Sequence, residues 1–106
     1  MHTRMTTLHL DPERVDEVIA EIEENDVPEL RRLDGFRGFI VMVDRKAGKV
    51  VGASFWQTDD QMKASEEASA RLRERAAKRG DASGEPETER LEVALDVFIP
   101  RPKRRD

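Results

Sequence analysis

Residues 36–57 decide the fold: 36–44 read FRGFIVMVD, 45–48 read RKAG and 49–57 read KVVGASFWQ. The first stretch holds a continuous apolar run, which is typical of a strand buried on both faces. The third stretch is rich in β-branched and aromatic residues, as strands are. The stretch between them ends on Gly48, and glycine tolerates the positive φ of a tight turn. This part of the chain therefore predicts an antiparallel β-hairpin.

A strand and a helix are predicted upstream of the hairpin. Residues 3–10 read TRMTTLHL and end at an Asp-Pro step, which favours a strand. Asp11 suits a helix N-cap, and Pro12 suits the first helical position. Apolar residues follow at helical spacing, with a break expected near Pro28 because proline lacks a backbone donor: Val15, Val18, Ile19, Ile22, Val27, Leu30 and Leu33.

A second helix and a last strand are predicted downstream. Thr58 and Gln61 form a capping box, and the helix should run to about Arg79, with Gly80 at the C′ position. Residues 80–88 read as a loop. Residues 90–99 then alternate, which predicts a strand with one apolar set facing the helices and a second set on the opposite face: Leu91, Val93, Leu95, Val97 and Ile99, against Arg90, Glu92, Ala94, Asp96 and Phe98.

This order of elements predicts an α+β, ferredoxin-like βαββαβ domain with an antiparallel sheet over residues 1–100, followed by a basic tail at 101–106. Right-handed connections place both helices on one face of the sheet. The other face needs a cover, and a second copy of the chain is the simplest one. We therefore expect a homodimer, built as a dimeric α/β barrel with a cavity between the paired sheets.

Composition narrows the classes of function. The chain has 106 residues, the size of one domain, and a net charge of −4. Its one basic cluster is the tail, read as solvated, so no nucleic-acid partner is expected. The absence of cysteine excludes disulfides and thiolate metal sites. No apolar run approaches the roughly 20 residues that span a bilayer, and no signal peptide is evident, so we expect a cytoplasmic protein without a membrane partner.

Two local patterns resemble the antibiotic-biosynthesis-monooxygenase-like family of dimeric α/β barrels. Residues 33–39 read LDGFRGF, similar to the family's glycine–aromatic entry to the second strand, and 55–61 read FWQTDDQ, similar to its tryptophan-ended strand before a capped helix. The resemblance implies oxidation of a phenolic or quinol substrate without metal or flavin, degradation of haem, or a member with no assigned reaction. It implies no cofactor for the first of these.

The sequence departs from the family's residue patterns. It has no tyrosine, and its one asparagine, Asn25, lies in the first helix rather than on a strand. The haem-degrading branch needs a histidine on the second helix, and residues 59–79 contain none. Haem degradation is therefore disfavoured.

Four residues are candidates for a site. Trp56 is placed toward the cavity, where it could stack on a planar aromatic ligand, or could fill the dimer core. His9, at the end of the first strand, could take a proton from a phenol, or could be a surface histidine. Arg37 could hold an anionic ligand or flank the hairpin. Asp96 shares the non-helix face with Arg90 and could line the cavity or lie solvated at its rim.

Three functions stay open on these residues. The first is a cofactor-free monooxygenase in which His9 removes a proton and Trp56 positions the ring. The second is a binding protein that holds a small hydrophobic molecule without turnover. The third is a structural protein whose cavity is filled by side chains, which a volume below about 300 Å³ would favour.

Overall fold

The computed structural model describes residues 1–100; the predicted basic tail at 101–106 lies outside the described residues. One sheet contains four antiparallel strands, in the spatial order β2-β3-β1-β4. The predicted α+β, ferredoxin-like fold is confirmed. The strands are β1 (His2–His9), β2 (Phe36–Asp44), β3 (Lys49–Trp56) and β4 (Glu87–Glu92).

Two helical segments cover one face of this sheet. None of the helices in residues 1–100 is long and apolar enough to cross a membrane. The first segment starts with a 3₁₀ turn, Pro12–Arg14, and contains a π-turn, Ile22–Asp26. The helices are α1 (Val15–Glu21), α2 (Val27–Arg31), α3 (Asp59–Ala64) and α4 (Glu66–Arg79).

The predicted turn and the N-caps at Asp11 and Thr58 occur, but the return bond of the predicted capping box does not, since Gln61 Oε1 has no hydrogen-bond partner within the described residues. Gly48 has a φ of +71° in the β2–β3 turn. Asp11 Oδ1 accepts a hydrogen bond from the Glu13 amide at 3.0 Å, and Thr58 Oγ1 accepts one from the Gln61 amide at 3.1 Å. Each cap satisfies an amide that the first turn of a helix leaves without a partner.

The predicted break near Pro28 is wrong, because the helical path is irregular there but continuous. The helical path does not break at Pro28; it widens just before it, through the π-turn, and Pro28 lies in the first turn of α2. Proline has no amide to donate to the preceding turn. A π-turn absorbs such a fault by shifting the hydrogen-bond pattern, and it also changes which side chains point inward.

The second helical segment differs from the predicted single helix. It divides at Ser65 into α3 and α4. Gly80 ends α4 with a φ of −86°, and the following Asp81 takes the positive φ of 51° instead. Gly80 is required for a different reason than predicted: a Cβ there would lie 2.6 Å from Cδ2 of Leu10.

The last strand is shorter than predicted, and the side chains on its two faces are exchanged relative to the prediction. It pairs with β1 only from Glu87 to Glu92, and the final bond runs from the Val93 amide to the Met1 carbonyl. Arg90 lies opposite Arg4, on the helix-covered face, so Leu91 faces the open side. Alternation separates two faces but does not say which one the helices cover.

The core lies between the sheet and the helices, in two adjoining clusters. The larger joins the end of β1 to α1 and the start of β3. The smaller surrounds Trp56, which is 0% exposed. The members are Leu8, Leu10, Val15, Val18, Ile22, Val50 and Ala76 in the first, and Leu30, Trp56, Met62 and Leu72 in the second.

The opposite face of the sheet has no cover within residues 1–100. Ile40 and Met42 of β2 and Leu91 of β4 are exposed there. Residues 93–100 follow as a segment without regular structure, and its apolar side chains are exposed as well: Leu95 at 82%, Val97 at 77%, Phe98 at 71% and Ile99 at 88%.

Candidate functional site

A cavity of about 70 Å³ lies between the helices and the centre of the sheet. Its floor is formed by β1 and β3, and its roof by the π-turn, α2 and α4. Gly52 has no side chain to fill the cavity, and a Cβ there would lie 3.1 Å from Cζ of Phe39. Most of the lining is apolar, but six side chains are polar or charged: Arg4, Thr6, Asp26, Ser54, Ser69 and Arg73.

Arg4 brings a positive charge into the interior and is 2% exposed. Its Nη1 donates to the hydroxyls of Ser65 and Ser69 at 2.9 and 2.6 Å, and its Nη2 donates to the Met62 carbonyl at 2.6 Å. Burial lowers the pKa of Arg4, against the attraction of Glu66. Arginine nonetheless stays protonated in proteins, so the group remains a cation.

Three arginines converge on one carboxylate at the edge of the cavity. Glu66 oxygens lie 2.9 Å from Arg4 Nη2, 2.8 Å from Arg73 Nη2 and 2.9 Å from Arg90 Nη2. We call these four residues the arginine cluster. Burial opposes ionisation of Glu66, but the bonds from Arg73 and Arg90 and the charge of Arg4 outweigh it and hold the pKa of Glu66 below its ordinary 4.5.

Asp26 supplies the acidic side of the cavity. It closes the π-turn and is 4% exposed, with Oδ1 accepting from Arg75 Nη2 at 3.1 Å. Burial raises the pKa of Asp26 above its ordinary 3.8, against the hydrogen bond from Arg75; Glu21 and Glu29 raise it further. Its carboxylate is therefore a stronger base than that of an exposed aspartate.

The open-face placement predicted for Trp56 is wrong. Trp56 does share a strand face with Val50, Gly52 and Ser54, but that face is the one covered by helices. The indole Nε1 donates to Ser54 Oγ at 2.9 Å, and the ring meets Phe36 edge-on at 5.5 Å. Trp56 does not line the cavity; it fixes Ser54, which does.

The other predicted site residues are not brought together. His9 is exposed at the end of β1, where its carbonyl accepts from the Ser83 amide at 2.9 Å. Arg37 is exposed at an irregularity of β2, and Asp96 is exposed in the segment after β4. None of the three lines the cavity, and a role for them in ligand binding stays a prediction.

Sequence reasoning missed the two groups that give the cavity its charge. Arg4 was read only as part of a strand, although it alternates with Thr6 and Leu8 on the face that the helices cover. Asp26 stands in a run of acidic residues, a pattern typical of a solvated helix face. The one available clue was Pro28 two residues later, which disturbs the helix and turns Asp26 inward. Within residues 1–100, no three histidine or carboxylate side chains are grouped to hold a metal ion.

Most of the residues that form this site lie in a stretch that matches a known protein family. A family model described as antibiotic biosynthesis monooxygenase matches residues 1–70, which include β1, the π-turn, β3 and Glu66. The chain belongs to this family. The predicted resemblance rested on two short patterns, and the match extends it to most of the domain.

Relatives of this monooxygenase-family chain include two uncharacterized proteins of Mycobacterium tuberculosis. One is 38% identical over 77 residues, covering 73% of this chain and 33% of the relative. The other is 33% identical over 94 residues, covering 89% and 41%. The chain thus spans between a third and two fifths of the length of these relatives.

Solved structures of the family share the fold at low identity. A monooxygenase of Streptomyces coelicolor in complex with nanaomycin D has a TM-score of 0.75 at 16% identity, covering 93% of this chain and 92% of that one. SnoaB, a cofactor-independent oxygenase of Streptomyces nogalater, has 0.64 at 15%, covering 91% and 95%. The haem degrader MhuD of M. tuberculosis has 0.68 at 18%, covering 92% and 100%.

Proposed function

We propose that this domain oxidises a small phenolic or quinol-type molecule with molecular oxygen, without metal or flavin, in the cavity between its helices and its sheet. The observation that carries the proposal is a buried carboxylate, Asp26, at a cavity whose lining is mostly apolar. Direct oxidation by oxygen requires a substrate carbanion, and forming one requires a base in a site shielded from water. Membership of the family supports the reaction class.

Asp26 replaces His9 in this mechanism as the proton acceptor. Burial strengthens its carboxylate as a base, and Arg75 of α4 donates a hydrogen bond to one of its oxygens. The substrate ring lies against Phe39, Leu30 and Leu72, whose side chains exclude water. Trp56 acts through Ser54 as a positioning residue.

The redox step balances with oxygen as the sole oxidant. Asp26 takes a proton from an activated CH₂ group of the ring, and the carbanion transfers electrons to O₂. A carbon–oxygen bond then forms, and the peroxide anion takes the proton back from Asp26 to give a hydroperoxide. The second C–H bond of that carbon and the O–O bond then break, so that water leaves and the carbon becomes C=O. One oxygen atom enters the product and the other leaves as water.

Oxygen uptake tests this proposal. The purified chain, treated with chelator and free of flavin, is given small quinols and anthrones in an oxygen electrode. Asp26→Asn should lower kcat by about 10²- to 10⁴-fold, the usual contribution of a general base. Glu29→Gln is the matched control, since Glu29 approaches the same Arg75 at 3.8 Å but does not line the cavity. Full activity in Asp26→Asn would remove Asp26 from the mechanism.

A binding role without turnover is the second candidate, favoured by the size of the cavity. At about 70 Å³ it lies below the roughly 300 Å³ of ordinary ligand pockets. By this measure the described cavity suits one small ring, or the polar edge of a larger molecule. Ligand recovered unchanged after aerobic incubation, with saturable quenching of the single tryptophan, would establish binding alone. A chain that binds no member of the panel would point to the third, structural reading.

We further propose that the chain pairs with a second copy through its open sheet face. Ile40, Met42 and Leu91 expose apolar side chains on that face, and residues 93–99 extend the apolar surface beyond β4. A monomer rarely keeps such surface in water. A second copy buries both features at once, and the self-complementary face of an antiparallel sheet suits a two-fold interface.

A further inference from the structure

The arginine cluster carries more positive charge than its partners neutralise. Arg4, Arg73 and Arg90 each bear one positive charge and share the single carboxylate of Glu66. Within residues 1–100, no other carboxylate lies within 4.0 Å of these three guanidinium groups. The neighbouring Asp59 is already paired with Lys63 at 3.0 Å. With three positive charges and one negative charge, the cluster therefore carries a formal net charge of +2.

Two donors of the cluster are buried without an acceptor. Arg4 Nε and Arg73 Nη1 are both shielded from solvent, and neither has a hydrogen-bond partner in the described part of the chain. Both residues line the cavity. Glu66 Oε2 is likewise buried without a hydrogen bond, but it lies 2.9 Å from Arg4 Nη2 and from Arg90 Nη2 in ion pairs. A buried charged donor without an acceptor is unfavourable, and an anionic oxygen in the cavity would supply that acceptor.

The remaining hydrogen bonds of Arg4 hold its guanidinium group in one orientation. Ser65, Ser69 and the Met62 carbonyl occupy its two terminal nitrogens, so the guanidinium cannot turn Nε toward another acceptor without breaking them. Arg73 is similarly held by Glu66. The donors are thus fixed before any ligand arrives, which favours binding because less ordering is needed.

We propose that the cavity is an oxyanion site, in which Arg4 and Arg73 receive a carboxylate or phenolate oxygen of a small aromatic acid. The proposal rests on the proposed function, since it names the ionic form of that substrate. A phenolate held between two guanidinium groups forms charge-assisted hydrogen bonds, which are stronger than neutral ones. Asp26 lies on the other side of the cavity, in the π-turn, so the acceptor of the proton and the holder of the oxyanion are separate groups.

Titration by NMR tests the oxyanion site without requiring turnover. The Nε–Hε resonances of arginine report hydrogen bonding at the donor itself. Acetate and 4-nitrophenolate are added to the ¹⁵N-labelled chain, with acetamide as a neutral probe of similar size to acetate. We expect saturable downfield shifts of the Arg4 Hε signal with the two anions and not with acetamide. Binding of acetate alone would identify a carboxylate site, and binding of 4-nitrophenolate a phenolate site.

Two variants should change affinity in opposite directions. Arg73→Gln removes a cation and should weaken acetate binding roughly tenfold. Glu66→Gln removes the one competing carboxylate and should tighten it several-fold, although it also breaks ion pairs. A purely structural cluster would not gain affinity from that loss. Arg71→Gln removes a charge from the same helix, at a residue paired with Glu29 outside the cavity, and should leave affinity unchanged.

Three results would overturn the oxyanion site. The first is an absence of shifts at Arg4 Hε with either anion. The second is an equal response to acetamide. The third is equal weakening by Arg71→Gln and Arg73→Gln, which would mean that only overall charge matters. A chain that binds acetate but consumes no oxygen would keep the oxyanion site and refute the oxygenase, so the two proposals fail separately.

Discussion

Arg4 places a charge where strands usually place an apolar side chain. Its partners come from α3 and α4, and removing it would take the donor away from the buried hydroxyls of Ser65 and Ser69, while Glu66 would keep Arg73 and Arg90. A buried polar group that loses its hydrogen-bond partner costs stability.

Arg4→Ala should therefore lower the free energy of unfolding by about 1–3 kcal/mol. Arg14→Ala is the matched control, because Arg14 is half exposed and its ion pair with Glu17 is a surface one, worth less than about 1 kcal/mol. Urea unfolding followed by Trp56 fluorescence measures both. Equal losses in the two variants would show that burial of Arg4 is unimportant for stability.

Asp26 should impose a pH dependence of its own. Its pKa in the folded chain is raised above the ordinary 3.8, so between those two values the native state binds more protons than the unfolded state. The free energy of unfolding due to Asp26 therefore falls as pH rises through this window. In Asp26→Asn that fall should disappear, measured as the difference between the two unfolding profiles. Parallel profiles would contradict a raised pKa.

At this scale the sequence predicts what local chemistry determines and little else. Thr58 and Asp11 cap helices as their residue types indicate. Arg4 could not be recognised because its partners lie far along the chain, and no local pattern reports them. Trp56 was assigned to the wrong face for a related reason: strand parity groups side chains, but the covered face depends on where the helices pack.

Among the elements, α3 and α4 matter most to the site because they carry Ser65, Glu66, Ser69 and Arg73. Their start depends on the Thr58 cap. Thr58→Ala should cost about 1 kcal/mol of stability, while Thr58→Ser, which keeps the oxygen, should cost little. Thermal unfolding of the pair distinguishes these. Similar losses in both variants would assign the effect to the threonine methyl group instead of the cap.

The π-turn and β4 show where pattern reading fails for whole elements. Apolar spacing continues through Ile22, Val27 and Leu30 closely enough to look like one helix with a proline fault. That spacing does not reveal the extra residue of the π-turn. The alternation of residues 90–99 continues to Ile99, but β4 pairs with β1 only as far as Glu92. Alternation alone therefore does not fix where a strand ends.

On the scale of the whole molecule, the antiparallel sheet and its helix-covered face follow from the order of the elements. The position of the cavity does not. The cavity described above lies between the sheet and the helices of one chain and was not predicted, while a cavity between two paired sheets stays a prediction. The proposed pairing of two chains is then a matter of covering the open face and not of forming this cavity.

Ile40→Lys tests that pairing. Placing a charge on the exposed apolar face should shift the chain from dimer to monomer in sedimentation velocity, since a buried unpaired charge opposes association. Lys46→Glu, in the exposed β2–β3 turn, also changes the charge and should leave the mass unchanged. A wild-type chain that sediments as a monomer at all concentrations would rule out the proposed interface.

The contacts of Arg4 also bear on how the chain folds. They join residues separated by 58, 61 and 65 positions, so they form only after a long loop closes. Until then the guanidinium keeps its water shell, and it loses that shell in the same event that docks α3 and α4 onto β1. Partial undocking would strip the buried charge of its partners before water could replace them. Amides of β1 and α4 should therefore exchange with solvent together, through one shared opening of the domain.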